Sequence, residues 1–341
     1  MNTLFQLRPY TPSDAQAVVA VVNADAAATM GVRRALVDDV GQVRLARYVP
    51  AACDKVVAVD PAGQVAGYAY LADREQHIVY ELGGAVHPDR WGQGIGAALL
   101  SWAGQRATLL SQRAPAGVKT VLQGNLFAAE TRAGRLFARF GYAQAREWLH
   151  LQIDLAAPPP TPIIPDGMRL AAIDLDDDWD LLGPAMEDAF ADHWGVIPPA
   201  EADTADDAVT PDEVEAPDEE LPEDESYSNT PGFCFKLLAG DEVAGGVLCN
   251  AKLVEQPEAG RVGSLFVRPQ FRRLGAGRAL MLAAFQAFWQ HDIRRIIADT
   301  DAGSFTQAPK LYTSLGMRPY RQEFLVEKEI RPGRELRRLH L

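Results

Sequence analysis

The chain has 341 residues, enough for two cores of ordinary size, and its 48% hydrophobic and 23% charged content is that of a soluble globular enzyme. No apolar run approaches the roughly 18 residues that a membrane helix needs, so a membrane partner is not expected. The formal charge of −13 is local: 21 Asp and Glu, with no Lys or Arg, fall between Leu170 and Phe235 and leave the remainder at +8. That remainder has no Lys/Arg-rich run with interleaved aromatics, which argues against nucleic acid as well.

The opening stretch MNTLFQLRPYTPSD has no basic flank, long apolar core or small-residue cleavage site, and the protein is expected in the cytoplasm. FQLRPYTPSD reads as a short strand followed by an acidic helix start. KVVAVD and QVAGYAYLAD read as strands paired around a PAG turn, and HIVYELGGAVHP as a third. The helix GAALLSWAGQRATLL follows, with apolar residues at helical spacing, and then the strand KTVLQGN. In AAPPPTPIIPDG, Ala156 to Gly167, repeated prolines forbid helix and predict a stiff, extended connector. Beyond it GMRLAAIDLDD restates the strand and acidic helix start. Residues 198–232 combine prolines and dense carboxylates with few large apolar side chains, so an acidic mobile loop is expected there. FKLLAGDEVAGGVLCN, GRVGSLFVRP, the helix GRALMLAAFQAFWQ and the strand RRIIADTD then repeat the earlier order. Cys53, Cys234 and Cys249 are odd in number and lack metal-ligand spacing, so no metal site is expected.

The two halves share a phrase. GAVHPDRWGQGIG, Gly84 to Gly96, and SLFVRPQFRRLGAG, Ser264 to Gly277, align at an offset of 181 that puts Gly94 and Gly96 on Gly275 and Gly277. RLFARFGY and KLYTSLGM, with Gly141 against Gly316, align at 175. The expected fold is therefore a duplicated, mixed-sheet α/β unit: 1–155, a Pro-rich linker at 156–167, and 168–341.

Each phrase runs strand, proline, polar loop, Gly-x-Gly and helix. Glycines there let backbone approach a ligand, and amides at a helix N-terminus receive phosphate oxygens. Neither copy ends in the Gly-Lys-Ser/Thr of a Walker loop, and Leu99 and Leu280 stand where a dinucleotide fingerprint needs its third glycine.

VRPQFRRLGAG instead resembles the acetyl-CoA signature of the GNAT N-acetyltransferase superfamily, Arg/Gln-x-x-Gly-x-Gly/Ala after a strand ending in Val-x-Pro. The first copy departs from it, with Trp91 at the Arg/Gln position and Arg90 shifted by one. The resemblance covers both halves and is to the tandem branch that includes mycothiol synthase, which makes the fold class two tandem GNAT-like mixed-sheet α/β domains. It implies acetyl-CoA as co-substrate. Leu265, Phe266 and Val267 would lie along its pantetheine arm, with Arg272, Arg273, Leu274, Gly275, Ala276, Gly277 and Arg278 around its pyrophosphate. The first-copy counterparts are Ala85, Val86, Trp91, Gly92, Gln93, Gly94, Ile95 and Gly96.

Transfer to an amine needs a free amine, a donor for the oxyanion and a proton for the thiolate. By resemblance Tyr312 in LYTSLGM is the acid, and a phenol stays protonated near neutrality while a thiolate takes its proton. Phe137 stands at the matching place, so the first copy is expected to be non-catalytic. The strand RVGSLFV carries no Glu to act as base. His193 is the first candidate for that role, against a structural or substrate-lining reading, and Asp299, Asp301, Glu187 and Asp188 are others. Glu81 stands in the first copy where the family base often sits. The expected activity is acetyl transfer to the primary amine of a small molecule by the second copy. The alternatives are a non-catalytic acyl-CoA sensor and a protein or peptide N-acetyltransferase. The acidic loop is either a lid that attracts cationic amines or a solvated insertion.

Overall fold

The computed structural model describes residues 5–37, 43–45, 53–75, 77–197, 229–251, 253 and 256–339. Of the expected acidic loop, 198–228 lies outside the described residues. The chain folds as two compact units. The first holds the described residues up to Glu147 together with Glu323–Leu336; the second holds 148–197, 229–322 and 337–339.

In the first unit the elements run β1 (Gln6–Pro9), α1 (Ala15–Met30), β2 (Ala35–Val37), β3 (Val43–Leu45), β4 (Asp54–Val59), β5 (Val65–Glu75), β6 (Val79–Val86), α2 (Ile95–Leu110), β7 (Thr120–Phe127), α3 (Thr131–Arg139) and the start of β8 (Ala143–Asp154). Strands β1, β4, β5 and β6 form an antiparallel run, and β7 joins β6 in parallel. Helix α2 buries Ile95, Leu99, Leu100, Ala103, Ala107 and Leu110, a stripe at helical spacing that packs in one cluster with Val56, Leu71, Tyr80 and Leu122. Ahead of α1, Asp14 accepts from the Thr11 amide at 2.9 Å and pairs with Arg8 at 2.7 Å, which ties the helix start to β1.

The second unit repeats the order: β9 (Met168–Ala172), α4 (Trp179–Phe190), β10 (Phe235–Ala239), β11 (Glu242–Asn250), β12 (Ala259–Val267), α5 (Ala276–Gln290), β13 (Arg295–Asp301), α6 (Ala308–Ser314) and the start of β14 (Arg318–Arg331). Its antiparallel run is β9, β10, β11 and β12, with β13 parallel to β12. Helix α5 is buried on nearly every side, from Ala276 to Phe288, and Phe285 and Phe288 are among the largest fully buried side chains. Residues 156–167 contain neither helix nor strand.

The boundary expected at that connector falls elsewhere. The unit changes within β8, between Glu147 and Trp148, and the end of β14 belongs to the first unit. Glu323–Arg331 pairs antiparallel with β7, while Trp148–Asp154 pairs antiparallel with β13. Each parallel strand would otherwise present an open row of N–H and C=O groups, and each is covered by the last strand of the other sequence half. Arg331 anchors the returning strand by donating to the carbonyls of Ser111, Ala114, Pro115 and Val118.

Candidate functional site

Both units open a fork at the same place. Strands β6 and β7 pair only over Val79–Leu82 and Val121–Gly124, and β12 and β13 only over Ala259–Val262 and Arg295–Ala298. Beyond those four pairs the backbones of Gly83–Val86 and Gly263–Val267 turn one edge to the fork, leaving main-chain donors and acceptors for a ligand to use.

The glycine loops follow directly. Gly94 and Gly275 are the N-caps of α2 and α5 at φ +88° and +95°, a conformation glycine adopts without strain. The first intrahelical bonds run from the Ala98 amide to the Gly94 carbonyl and from the Ala279 amide to the Gly275 carbonyl, both at 3.0 Å. The amides ahead of Ala98 and Ala279 are not spent on the helix and are suited to an anion.

Arg272 turns its side chain away from that anion site. Its Nε donates to the Val267 carbonyl at 3.0 Å, and its other nitrogens reach Asp192 at 2.6 Å and the Ala189 carbonyl at 2.9 Å. Trp91 does the same in the first unit, its Nε1 donating to the Val86 carbonyl at 2.9 Å and to Asp25 at 3.1 Å. The position thus fastens loop to strand, a task that an indole N–H performs as well as a guanidinium. The departure of Trp91 from the motif leaves the loop amides untouched. Arg132 stacks over the Trp91 ring at 4.3 Å.

Tyr312 lies on α6 within the apolar core, and burial, with Asp299 and Cys249 nearby, pushes its phenol well above the ordinary tyrosine range. Phe137 on α3 packs edge-on to Tyr142 at 4.8 Å and fills the space over Gly124, where a Cβ would come within 2.6 Å of its ring. His193 is wedged between Phe190 and Phe305, with ring centroids at 4.9 and 5.8 Å, and its Nδ1 is 3.3 Å from Asp192, the carboxylate that also holds Arg272. Burial lowers its pKa, against the pull of Asp192, so the neutral ring is favoured. Among the other base candidates, Asp188 is paired with Arg268 at 2.7 Å, and Asp301 accepts from the Gly303 amide at 2.8 Å. Asp299 pairs with both Arg261 and His150.

A cavity of about 820 Å³ opens in the first unit, from the Trp91–Ala97 loop through the fork to α1. Glu81 lines it, accepting from the Tyr70 hydroxyl at 3.0 Å and from Arg74 Nε at 2.8 Å. Asn125, Asp25 and Glu130 also line it, and burial raises the pKa of both Asp25 and Glu130. Sequence reasoning singled out Glu81 but missed Tyr70, Asp25, Asp192 and His150, whose partners Glu81, Trp91, Arg272 and Asp299 lie 11 to 149 residues away along the chain and leave no local pattern.

A duplicated sheet–helix unit with a forked parallel pair and a left-handed glycine opening the next helix defines the acyl-CoA-dependent acyltransferase class. Comparisons with known proteins agree: the Acetyltransferase (GNAT) domain model matches residues 38–144 and the Acetyltransferase (GNAT) family model residues 201–317. The mycothiol acetyltransferase of Thermobispora bispora is 30% identical over 314 residues, covering 90% of this chain and 93% of that one. The GCN5-related N-acetyltransferase from Sphaerobacter thermophilus superposes with a TM-score of 0.72 at 26% identity, covering 97% of this chain and 98% of that one. A tandem GNAT protein from the clavulanic acid biosynthesis pathway shares the fold, with a TM-score of 0.64 at 18% identity over 97% of this chain and all of that one. The chain belongs to the GNAT acetyltransferase family and is an acetyltransferase, whose members use acetyl-CoA as co-substrate. Among the described residues no helix is long and apolar enough to cross a membrane.

Proposed function

We propose that the second unit transfers acetyl from acetyl-CoA to the primary amine of a small molecule, with Tyr312 as the proton donor to the departing thiolate. One observation carries this reading: of the two equivalent helices after the fork, α6 presents a phenol that burial keeps protonated and α3 presents Phe137. The amine nitrogen attacks the thioester carbonyl carbon, the C–N bond forms, the C–S bond breaks, and Tyr312 protonates the sulfur. The loop amides around Gly275 and Gly277 and the open edge of β12 suit the coenzyme. His193, braced by two phenylalanines and Asp192, fits a lining role beside the loop. The name of the Thermobispora relative points to mycothiol chemistry as the first acceptor class to try.

The first-unit cavity supports a second reading, in which transfer occurs there with Glu81 as base. Calorimetric titration of acetyl-CoA, with turnover of an amine panel, separates the two when run on wild type, Gly277→Glu and Gly96→Glu. Loss of turnover in Gly277→Glu alone supports the second unit; loss in Gly96→Glu alone reverses the assignment.

A further inference from the structure

The second unit has a fork but no Glu on β12 to take the proton of an incoming ammonium. What stands at its fork is an ionic trio. Asp299 is the first residue of β13 past the last parallel pair, Val262 with Ala298. Directly opposite it on β8 is His150, with Nδ1 2.6 Å from the Asp299 carboxylate. Arg261 on β12 pairs with the same carboxylate. The His150 side chain keeps 13% of its exposure and the Asp299 side chain 21%, so both are largely shielded yet reachable.

The first unit supplies an internal comparison. Asn125 stands where Asp299 does, Leu325 opposite it where His150 does, and Glu81 where Arg261 does. The trio therefore accompanies the phenol Tyr312 and is missing beside Phe137. Its histidine is not encoded in the second sequence copy at all; it arrives on the strand that the first half contributes.

We propose that Asp299 and His150 form the proton acceptor for the amine in the second unit, Asp299 facing the amine at the fork and His150 acting through it as the final seat of the proton. This rests on the reading that the second unit is the catalytic one. Asp299 alone is a poor base: burial pushes its carboxyl up, but Arg261 and His150 outweigh that and hold it below the ordinary carboxylate range. An imidazole on the same carboxylate supplies a second group that can take the proton, and it is steadied by the carboxylate when protonated. One proton leaves the ammonium for the dyad and then solvent. The free amine forms the C–N bond, the C–S bond breaks, and the thiolate takes the proton of Tyr312, which recovers it from the amide nitrogen through solvent. Charged and titratable groups packed around His150 include, among the described residues, Asp299 on β13, Arg261 across that carboxylate on β12, and Tyr320 on β14, whose ring is edge-on at 6.3 Å.

The test is the pH dependence of kcat/KM for the best of a panel of primary amines (glucosamine, ethanolamine, serinamide and a glycyl peptide), in wild type, His150→Asn, His150→Gln, His150→Ala and Tyr312→Phe. Asn keeps an N–H near the Nδ1 position for Asp299 but cannot accept a proton. The expected result is a fall of about a hundredfold in His150→Asn, loss of the acid limb, acetyl-CoA affinity unchanged, and partial rescue of His150→Ala by free imidazole. Turnover within about twofold of wild type and an intact acid limb in both His150→Asn and His150→Gln, with Tyr312→Phe lowered about a hundredfold, overturns the dyad and leaves the second-unit reading standing. Full turnover in Tyr312→Phe, or none on any amine in wild type, removes that reading and the dyad with it.

Discussion

Trp91 donates its indole N–H to the carbonyl oxygen of Val86 at 2.9 Å, the span that Arg272 closes to Val267 at 3.0 Å in the other unit. Two chemically unlike side chains thus hold the same loop to the same strand end. Trp91→Ala should weaken acetyl-CoA binding at the first unit about tenfold, the value of one lost hydrogen bond of about 1.4 kcal/mol, whereas Trp91→Arg should bind as wild type does. Calorimetry in a Gly277→Glu background isolates that site. Equal affinity in all three proteins would show that the bond does not order the loop.

Tyr312→Phe removes the phenol but keeps the ring in the apolar core. kcat should fall about a hundredfold with the acetyl-CoA Kd unchanged. Because burial raises the phenol, the wild-type kcat should also stay level past pH ~10, where an ordinary tyrosine begins to lose its proton, and a decline well below that pH would assign the acid elsewhere.

The returning strand predicts how the chain can be divided. Fragments 1–155 and 168–341, cut at the Pro-rich connector, each lack the strand that covers β7 or β13, and each should aggregate or stay unfolded when expressed alone. Arg331→Ala strands carbonyls of Ser111, Ala114, Pro115 and Val118 and should cost about 2–3 kcal/mol, read as a lower Tm. Cooperative melting of either isolated fragment would contradict the pairing.

Asp14 and Asp178 occupy equivalent helix starts. The hydrogen bond from Arg8 holds Asp14 below the ordinary carboxylate range, and that from Lys236 does the same for Asp178. A carboxyl depressed in the folded state contributes stability above its unfolded pKa of about 4 and loses it as pH falls through the folded value. Denaturation midpoints should therefore drop below pH ~4, and the Asp14→Asn, Asp178→Asn protein should be less stable at neutral pH with a flatter acid decline.

The amino-acid sequence by itself determined the duplication, the order of elements and the two glycine loops, because alternation, helical spacing and glycine's tolerance of positive φ are local properties. Gly94 and Gly275 could be named from their neighbours alone, and both cap their helices in the left-handed conformation. Tertiary structure alone decided which strand covers which edge. Ala143–Asp154 and Arg318–Arg331 are equally good strands anywhere, and only the open sides of β7 and β13 assign them places. It likewise gave Trp91 its purpose, brought Tyr70 and Arg74 onto Glu81, and set His150 against Asp299, 149 positions away. The pairing of His150 with Asp299 depends on the closure of a whole sheet, and no stretch of sequence a few residues long carries that information.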